Sequence, residues 1–268
     1  MDTPPAVADA WERGDPYERY IGRWSRAVAP LFLDWLAAPS GARWVDVGCG
    51  TGALSSAIAD RCAPASLDGV EPSDGFRALA ASRLGDRAAL HAGNGASLPL
   101  PDHGRDLVVS GLVLNFIPDL PAALREMQRV AVPGGTVAAY VWDYSGRMDV
   151  IRAFWDEAAA LDPAAVPLHE AARFPQCRPE ALSAAFASAG LSGVATAPLP
   201  LDAVFDGFDD YWSPFLGGQG PAPSYVASLD EARRTALREA LRRRLPAGAD
   251  GRLVLGAHAW AVRGTVPG

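Results

Sequence analysis

The sequence contains no lysine, so arginine supplies all 24 of its basic residues. This absence excludes a lysine Schiff base and a lysine general base from any mechanism. Cysteine is also scarce, since only Cys49, Cys62 and Cys177 are present. Three scattered cysteines are too few for a disulfide framework or a zinc site. We therefore expect no metal site and a reducing, cytoplasmic location.

Long apolar runs are missing too, because no stretch reaches the roughly 18 residues that a membrane helix needs. The segment Met1–Asp9 is acidic and proline-rich and lacks the basic-then-apolar layout of a signal peptide. A formal net charge of −7 does not favour binding to a nucleic-acid backbone. The expected partner is a small molecule, with no nucleic acid and no membrane, and the protein is expected to be a monomer or a homodimer.

Hydrophobic periodicity predicts an alternation of strands and helices over the first half of the chain. The predicted strands cover 43–47, 67–71, 88–91, 106–110 and 136–142. The predicted helices cover 17–38, about 52–62, 73–84 and about 119–130. Because short connections join them, they predict an α/β fold with a doubly wound, mostly parallel sheet.

Beyond residue 143 the pattern is looser. Helices are predicted over 147–161, 178–189 and 228–245, with strands over 193–200 and 252–263. The stretch 205–245, which begins in a region rich in aromatic residues, glycine and proline, is predicted to be an insertion between the last two strands.

A glycine-rich turn follows the first predicted strand, where Asp46 and Val47 run into Gly48–Cys49–Gly50–Thr51–Gly52. Glycine permits a positive φ and lets a ligand approach the backbone closely. At the carboxyl end of a strand, beside a helix N-terminus, such a turn forms a ligand crevice. Gly48, Gly50 and Ala53 satisfy the dinucleotide pattern, whereas Asp46, Gly48, Gly50 and Gly52 satisfy the pattern typical of S-adenosylmethionine sites. The turn alone leaves both alternatives open.

Four features in order distinguish these alternatives. They are the glycine turn, Glu71 after the second strand, the loop Leu98–Asp102, and the turn Pro133–Gly134–Gly135 before the fifth strand. This succession resembles the class I, Rossmann-like S-adenosylmethionine-dependent methyltransferases, of the type 11 small-molecule group, over about residues 41–142. The resemblance implies a seven-stranded, mostly parallel sheet whose last strand is antiparallel. It also implies an N-terminal helical lid over 1–40, a cofactor-binding core over 41–145, and a C-terminal half of the same domain over 146–268.

The resemblance implies roles for individual residues. Asp46 would reach the cofactor's ammonium group, and Glu71 would hold its ribose hydroxyls. Asn94 stands where the family usually has an aspartate that accepts from the adenine amino group, and an amide oxygen accepts that bond without charge assistance. Further cofactor contacts are expected from Gly48, Cys49, Gly50, Pro72, Gly95, Ser110 and Gly111.

The predicted N-terminal helix carries Tyr20 and Arg23. Its aromatic face is expected to pack on the sheet. A functional alternative is that the helix covers the cofactor, with Tyr17 or Tyr20 near the sulfonium and Arg23 paired with the methionine carboxylate. Both interpretations remain open.

Aromatic side chains beyond the core predict a pocket for the methyl acceptor, because ligands collect at the carboxyl ends of parallel strands. The expected lining residues are Trp142, His169, Tyr211, Trp212 and Phe215, although ordinary packing is an equally open explanation. Asp143 and Tyr144 follow the fifth strand and are the candidates for orienting the acceptor or removing its proton.

The predicted activity is transfer of a methyl group from S-adenosylmethionine to O, N or C of a small molecule, with S-adenosylhomocysteine as product. No unmistakable general base is present. The alternative is therefore a protein that binds the cofactor on the same fold without methylating, as a sensor or a cyclase. A nicotinamide-dependent oxidoreductase is disfavoured, because neither the proline-glycine-glycine turn nor the Leu-Pro loop is expected there.

Overall fold

The computed structural model describes residues 21–217 and 220–268. Tyr20 and the first part of the predicted lid lie outside the described residues. Helix α1 spans Arg23–Leu36, with Val28 and Phe32 fully buried. It ends where Ala37 adopts a φ of 50°, a left-handed conformation that a helix cannot continue through.

Seven strands form the main sheet. They are β1 (Arg43–Val47), β2 (Ser66–Val70), β3 (Ala89–His91), β4 (Arg105–Gly111), β5 (Ala131–Trp142), β6 (Ser192–Leu199) and β9 (Ala259–Thr265). Their order is β3-β2-β1-β4-β5-β9-β6. The first five pair in parallel, whereas β9 is antiparallel to both of its neighbours. This confirms the predicted Rossmann-like sheet with an antiparallel last strand.

The remaining helices are α2 (Ala53–Arg61), α3 (Asp74–Leu84), α4 (Leu120–Val130), α5 (Asp149–Leu161), α6 (Glu170–Arg173), α7 (Pro179–Ser188), α8 (Phe208–Trp212), α9 (Pro221–Ser228) and α10 (Glu231–Arg244). Local sequence explains where several of them begin. Ser73 accepts from the Phe76 N–H to start α3, and Asp119 accepts from the Ala122 N–H to start α4. Among the described residues, no helix is both long and apolar enough to cross a membrane.

The chain divides into two compact units. The sheet unit comprises Ser25–Trp142, Gln176–Leu199 and Ala259–Gly268. Of the described residues, the aromatic unit comprises 21–24, 143–175, 200–217 and 220–258. The units interleave along the sequence, whereas three consecutive segments were predicted. The functional assignment of those segments stays a prediction.

The predicted last strand over 252–263 is wrong as one element. It is two strands: β8 (Leu253–Gly256) pairs with β7 (Asp202–Phe205) in a separate two-stranded sheet, and β9 belongs to the main sheet. The pairing of β8 with β7 ends at Gly256. Beyond it, the Ala257 N–H donates to the Leu201 carbonyl and the His258 N–H donates to the Arg147 carbonyl. The segment between β6 and β9 therefore runs from 200 to 258, longer than the predicted 205–245.

The aromatic unit has a core of stacked rings. Phe154 lies parallel to Phe215 with centroids 4.6 Å apart, and Trp155 meets Phe154 edge-on at 5.1 Å. Phe205 and Tyr211 extend this cluster at 5.4 Å. Such contacts add to the stability gained from burying large apolar surfaces.

Candidate functional site

Three glycines shape the turn after β1. Gly48, Gly50 and Gly52 all adopt positive φ, at 73°, 54° and 84°. A Cβ at Gly48 would lie only 2.5 Å from Val113 Cγ1, so packing also requires glycine there. At Gly50 a Cβ would meet no described atom within 4 Å. The turn is therefore packed on one side and open at Gly50.

The glycine turn is fastened to the end of β2. The Gly48 and Cys49 N–H groups both donate to the Val70 carbonyl, at 2.8 and 3.1 Å. The Gly50 N–H donates to Glu71 Oε2 at 3.0 Å, and the Ser73 N–H donates to Glu71 Oε1 at 2.8 Å. Burial raises the pKa of Glu71, while these two N–H groups act in the opposite direction. Each carboxylate oxygen keeps a second lone pair for a ligand hydroxyl.

Asp46 lies near the end of β1 and is 1% exposed. Ser55 donates its hydroxyl to Asp46 Oδ2 at 2.6 Å, but no described residue is a hydrogen-bond partner of Asp46 Oδ1. Burial raises the pKa of Asp46 to about 7, and the nearby charge of Glu71 adds to that rise. A buried acceptor without a partner is costly, and a cation at this place would relieve both the missing bond and the burial.

Cys49 is a buried space filler. Its Sγ would lie 2.9 Å from a Cβ at Gly69 on the neighbouring strand, so the thiol occupies the room that glycine leaves. Burial raises the pKa of the thiol, which keeps it protonated and unreactive. Pro72, also predicted to contact the cofactor, is exposed directly after Glu71.

Asn94 is exposed and holds its own loop together. Its Oδ1 accepts from the Ala96 N–H at 3.0 Å, and its carbonyl accepts from the Ser97 N–H at 3.2 Å. The predicted adenine contact would share that side-chain oxygen. A Cβ at the neighbouring Gly95 would lie 2.6 Å from Ile117 Cδ1, so the glycine is needed for packing.

The end of β4 is held tightly. Ser110 donates its hydroxyl to the Val47 carbonyl at 2.8 Å, and a Cβ at Gly111 would lie 2.6 Å from the Tyr140 hydroxyl oxygen. Leu112 has a φ of 64°, while its N–H donates to the Tyr140 carbonyl at 2.8 Å. Left-handed non-glycine residues are uncommon and cluster at functional sites.

Sequence reasoning did not identify what anchors the loop Leu98–Asp102. Arg129 on α4 donates to the carbonyls of Leu98 and Leu100 and pairs with Asp102. Glu126, one helical turn earlier, accepts from the Leu98 N–H at 2.8 Å and also pairs with Arg129. The Glu-x-x-Arg spacing of i to i+3 was the available signal.

Arg23 lies in the aromatic unit. Its Nη1 pairs with the Asp210 carboxylate at 3.1 Å, and its guanidinium carbon lies 4.5 Å from the ring centres of both Trp24 and Phe205. Arg23 therefore has a carboxylate partner within its own unit. The predicted pairing with the cofactor carboxylate stays a prediction, and Tyr20 lies outside the described residues.

Asp143 and Tyr144, the two candidates for orienting the acceptor, begin the segment Asp143–Pro175 of the aromatic unit. Asp143 Oδ2 accepts from the Arg147 N–H at 2.9 Å, and the Asp143 N–H donates to the His258 carbonyl at 3.0 Å. Tyr144 is buried, with its ring 5.8 Å from that of Phe174. Both shape the turn that leads into α5, and their predicted chemical roles stay predictions.

The structure places Trp142 in the sheet unit, at the end of β5, and the other four predicted pocket residues in the aromatic unit. His169 caps α6, because its Nδ1 accepts from the Ala171 N–H at 3.0 Å, and burial lowers its pKa. Tyr211 donates its hydroxyl to the Val150 carbonyl at 3.1 Å, and burial raises its pKa. Trp212 and Phe215 pack on each other at 6.0 Å. The predicted acceptor pocket stays a prediction.

Residues 45–139 match a family model described as "Methyltransferase domain". The chain is 34% identical over 134 residues to a malonyl-[acyl-carrier protein] O-methyltransferase of Serratia marcescens, covering 49% of this chain and 51% of that protein. It is 35% identical over 108 residues to a demethylmenaquinone methyltransferase of Bacillus licheniformis, covering 39% and 47%. The chain thus spans about half the length of these curated relatives.

Two solved structures share the fold. One is a Haemonchus contortus phosphoethanolamine N-methyltransferase 2 in complex with S-adenosyl-L-methionine, with a TM-score of 0.56, 15% identity, and coverage of 100% of this chain and 60% of the other. The other is the [4+2]-cyclase SpnF, with a TM-score of 0.56, 16% identity, and coverage of 91% and 81%.

The fold is that of Rossmann-like methyltransferases. Over residues 45–139, which include the glycine turn and Glu71, the chain matches the methyltransferase domain. In the Haemonchus contortus complex, a protein with this fold binds S-adenosyl-L-methionine.

Proposed function

We propose that this protein transfers the methyl group of S-adenosylmethionine to a small molecule and releases S-adenosylhomocysteine. The observation that carries the proposal is Asp46, a buried acid whose Oδ1 has no partner among the described residues. Asp46 precedes the glycine turn and lies near the charge of Glu71, and an ammonium group there would complete its bonding. A nicotinamide dinucleotide carries no ammonium group for this position.

The residues of the sheet unit fit this cofactor. Asp46 would accept from the ammonium, and Glu71 would accept from the ribose hydroxyls with the lone pairs that its backbone donors leave. Asn94 would accept from the adenine amino group, sharing the oxygen that binds the Ala96 N–H. The backbone around Gly48, Cys49, Gly50, Pro72, Gly95, Ser110 and Gly111 would form the walls.

S-adenosylmethionine supplies an electrophilic methyl group when bound. The protein's task is then to align the acceptor in line with that methyl and to exclude water. A general base is needed only for an acceptor that holds its proton tightly at neutral pH. Asp143 or Tyr144 would then orient the acceptor or take that proton, with Trp142, His169, Tyr211, Trp212 and Phe215 around it. Tyr20 and Arg23 would cover the cofactor.

The acceptor is proposed to be a small molecule methylated on O, N or C. The relatives are named for malonyl-[acyl-carrier protein] and demethylmenaquinone, two acceptors that carry oxygen atoms. A cytoplasmic location and a monomeric or homodimeric state remain predictions from the sequence.

Calorimetric titration with S-adenosylmethionine, S-adenosylhomocysteine and NAD tests the proposal. We expect both adenosyl compounds to bind and NAD not to bind. Glu71→Gln should weaken S-adenosylhomocysteine binding by about tenfold, because a charged acceptor is lost. Asp60→Asn, an exposed acid on α2, is the matched control and should leave binding unchanged. Binding of NAD alone would refute the proposal.

Methyl transfer is measured separately with labelled cofactor and a panel of acceptors. Labelled product supports the enzyme. Tight binding of S-adenosylhomocysteine with no labelled product from any acceptor would favour the sensor or cyclase alternative.

A further inference from the structure

The side chain of Asn115 is buried without a partner for its donor group. Asn115 is 5% exposed and lies in a one-turn 3-10 helix, Leu114–Phe116, that follows β4. Its Nδ2 is enclosed, and none of the described residues accepts a hydrogen bond from it. Nearly all buried polar groups in proteins are paired, and an unpaired donor costs stability. A donor kept in this state invites a functional explanation.

The loop that carries Asn115 packs on both glycine segments of the candidate cofactor site. Val113, two residues before it, occupies the space over Gly48, at 2.5 Å from an added Cβ. Ile117, two residues after it, occupies the space over Gly95, at 2.6 Å. Asn115 is therefore carried by the segment that borders the glycine turn and the loop after β3.

Two contacts hold the same loop, one at its start and one at Asn115 itself. Leu112 enters it in a left-handed conformation, with its N–H bonded to the Tyr140 carbonyl. Gln176 Nε2 donates to the Asn115 carbonyl oxygen at 3.3 Å. These contacts hold the backbone at Asn115, and the burial of its side chain leaves the amide few other positions.

A neutral N–H group recognises an atom with a lone pair. The cofactor groups assigned to Asp46 and Glu71 are already matched by carboxylates, and an ammonium offers no lone pair. We propose that Asn115 Nδ2 donates a hydrogen bond to an oxygen of the bound methyl acceptor, which makes Asn115 a specificity-determining residue for acceptors that carry a carbonyl or phenolate oxygen. The inference rests on the proposed function and narrows its acceptor class. An acceptor without that oxygen would leave the donor unpaired, as it is in the free protein, and would therefore react more slowly than an acceptor that gains the bond.

Asparagine occurs at only two positions in the sequence, Asn94 and Asn115. Protein labelled with ¹⁵N in asparagine side chains therefore gives one amide signal pair from each. S-adenosylhomocysteine is added first, followed by 1,4-naphthoquinol kept reduced or by malonyl pantetheine. We expect the cofactor product to shift the Asn94 pair and the oxygen-bearing probe to shift the Asn115 pair. An Asn115 pair that stays unmoved by a probe that the enzyme methylates would overturn the inference.

Kinetics of Asn115→Leu give an independent readout. For the methylated probe we expect kcat/KM to fall by about tenfold to a hundredfold, because a buried hydrogen bond is lost. The S-adenosylhomocysteine Kd should stay within about twofold, and Tm should not fall, because the substitution removes an unpaired donor.

Gln128→Leu is the matched control. Gln128 Nε2 on α4 has partners, since it donates to the carbonyls of Leu124 at 3.2 Å and Ala189 at 2.9 Å. Its loss should lower Tm and leave kcat/KM unchanged.

The other outcomes are also decisive. If Asn115→Leu weakens S-adenosylhomocysteine binding as much as it lowers kcat/KM, the amide serves the cofactor and the inference is wrong. A lower Tm with unchanged kcat/KM would make Asn115 purely structural. Transfer to neither oxygen-bearing probe, while another acceptor of the panel is methylated, would overturn the acceptor class. Loss of S-adenosylhomocysteine binding by the wild-type protein would instead overturn the proposed function.

Discussion

Polar side chains are buried both around the carboxyl ends of β1, β2 and β4 and in the core of the aromatic unit. The two regions differ in how many of these side chains have hydrogen-bond partners. Around these strand ends, Asp46 and Asn115 each have one buried atom without a described partner. In the aromatic core, Tyr211 donates to the Val150 carbonyl and His169 caps a helix. Asp46 and Asn115 therefore have atoms that a ligand could bond, whereas the Tyr211 hydroxyl and His169 Nδ1 are already bonded within the protein.

The difference distinguishes these four side chains and not the two regions as wholes, because Trp155 Nε1 in the aromatic core also lacks a described partner. Buried groups that lack partners cost stability and are retained where a ligand supplies the missing bond. Paired groups in an aromatic cluster stabilise the fold whether or not a ligand is present. Substitutions of Asp46 and Asn115 should therefore change ligand binding, whatever they do to stability, whereas substitutions of Tyr211 and His169 should change stability alone.

The largest expected effect is the pH dependence of Asp46. Its folded pKa of about 7 lies above the ordinary value near 4, so the folded protein binds the extra proton between these pH values. Stability should fall as pH rises from about 4 to about 7, by up to about 4 kcal/mol. Asp46→Asn should remove this slope in urea unfolding measured across pH. If the unfolding free energy of the wild-type protein depends on pH as little as that of Asp46→Asn, the pKa of Asp46 is not raised.

The second expected effect compares two glycines of one turn. Gly48→Ala should cost about 3 kcal/mol, because it combines left-handed strain with a clash against Val113. Gly50→Ala should cost only about 1 kcal/mol, since no described atom lies within 4 Å of its new methyl. That methyl should nevertheless weaken S-adenosylhomocysteine binding. Equal losses of stability, measured by denaturant unfolding, would contradict the difference in packing.

A smaller effect is expected for Tyr211→Phe in the aromatic core. It removes the hydroxyl that binds the Val150 carbonyl at 3.1 Å and should cost about 1 kcal/mol of unfolding free energy. Affinity for S-adenosylhomocysteine should not change. A drop in kcat/KM for a methylated probe without a loss of Tm would instead support the acceptor pocket predicted for Tyr211.

The smallest effect is expected at His169. His169→Ala should cost about 0.5 kcal/mol by removing the cap of α6, whereas His169→Asn keeps a capping oxygen and should cost less. Because burial lowers the pKa of His169, its contribution is present above about pH 6.5 and is lost as pH falls below that value. Thermal unfolding at pH 8 and pH 5 measures this. A larger loss for His169→Asn than for His169→Ala would refute the capping role.

The sheet was predictable because its signals are local. A strand such as β4 is apolar on both faces, and the glycine turn marks where β1 meets a helix, so a short window of sequence contains each element. The division of the last predicted strand was not predictable. It depends on Leu201 and Arg147, whose carbonyls bind residues 257 and 258 from far along the chain.

The same distinction applies to the candidate site. Asp46 and Glu71 could be selected because spacing from the glycine turn identifies them. Asn115 was missed, since its burial and its unpaired donor exist only after the loop has packed on Gly48 and Gly95. The Arg129 anchor was missed for a similar reason, because its partners lie about 30 residues earlier in the loop Leu98–Asp102.

The position of β9 has a consequence for how the chain matures during synthesis. β9 is the last of the seven strands to be made, yet it lies between β5 and β6. Until it emerges from the ribosome, β6 has no strand to pair with in the main sheet, and β5 presents an open edge. Exposed strand edges of this kind are where newly made chains associate wrongly. β9 therefore closes the sheet, and a chain whose β9 has not yet emerged exposes the edge of β5.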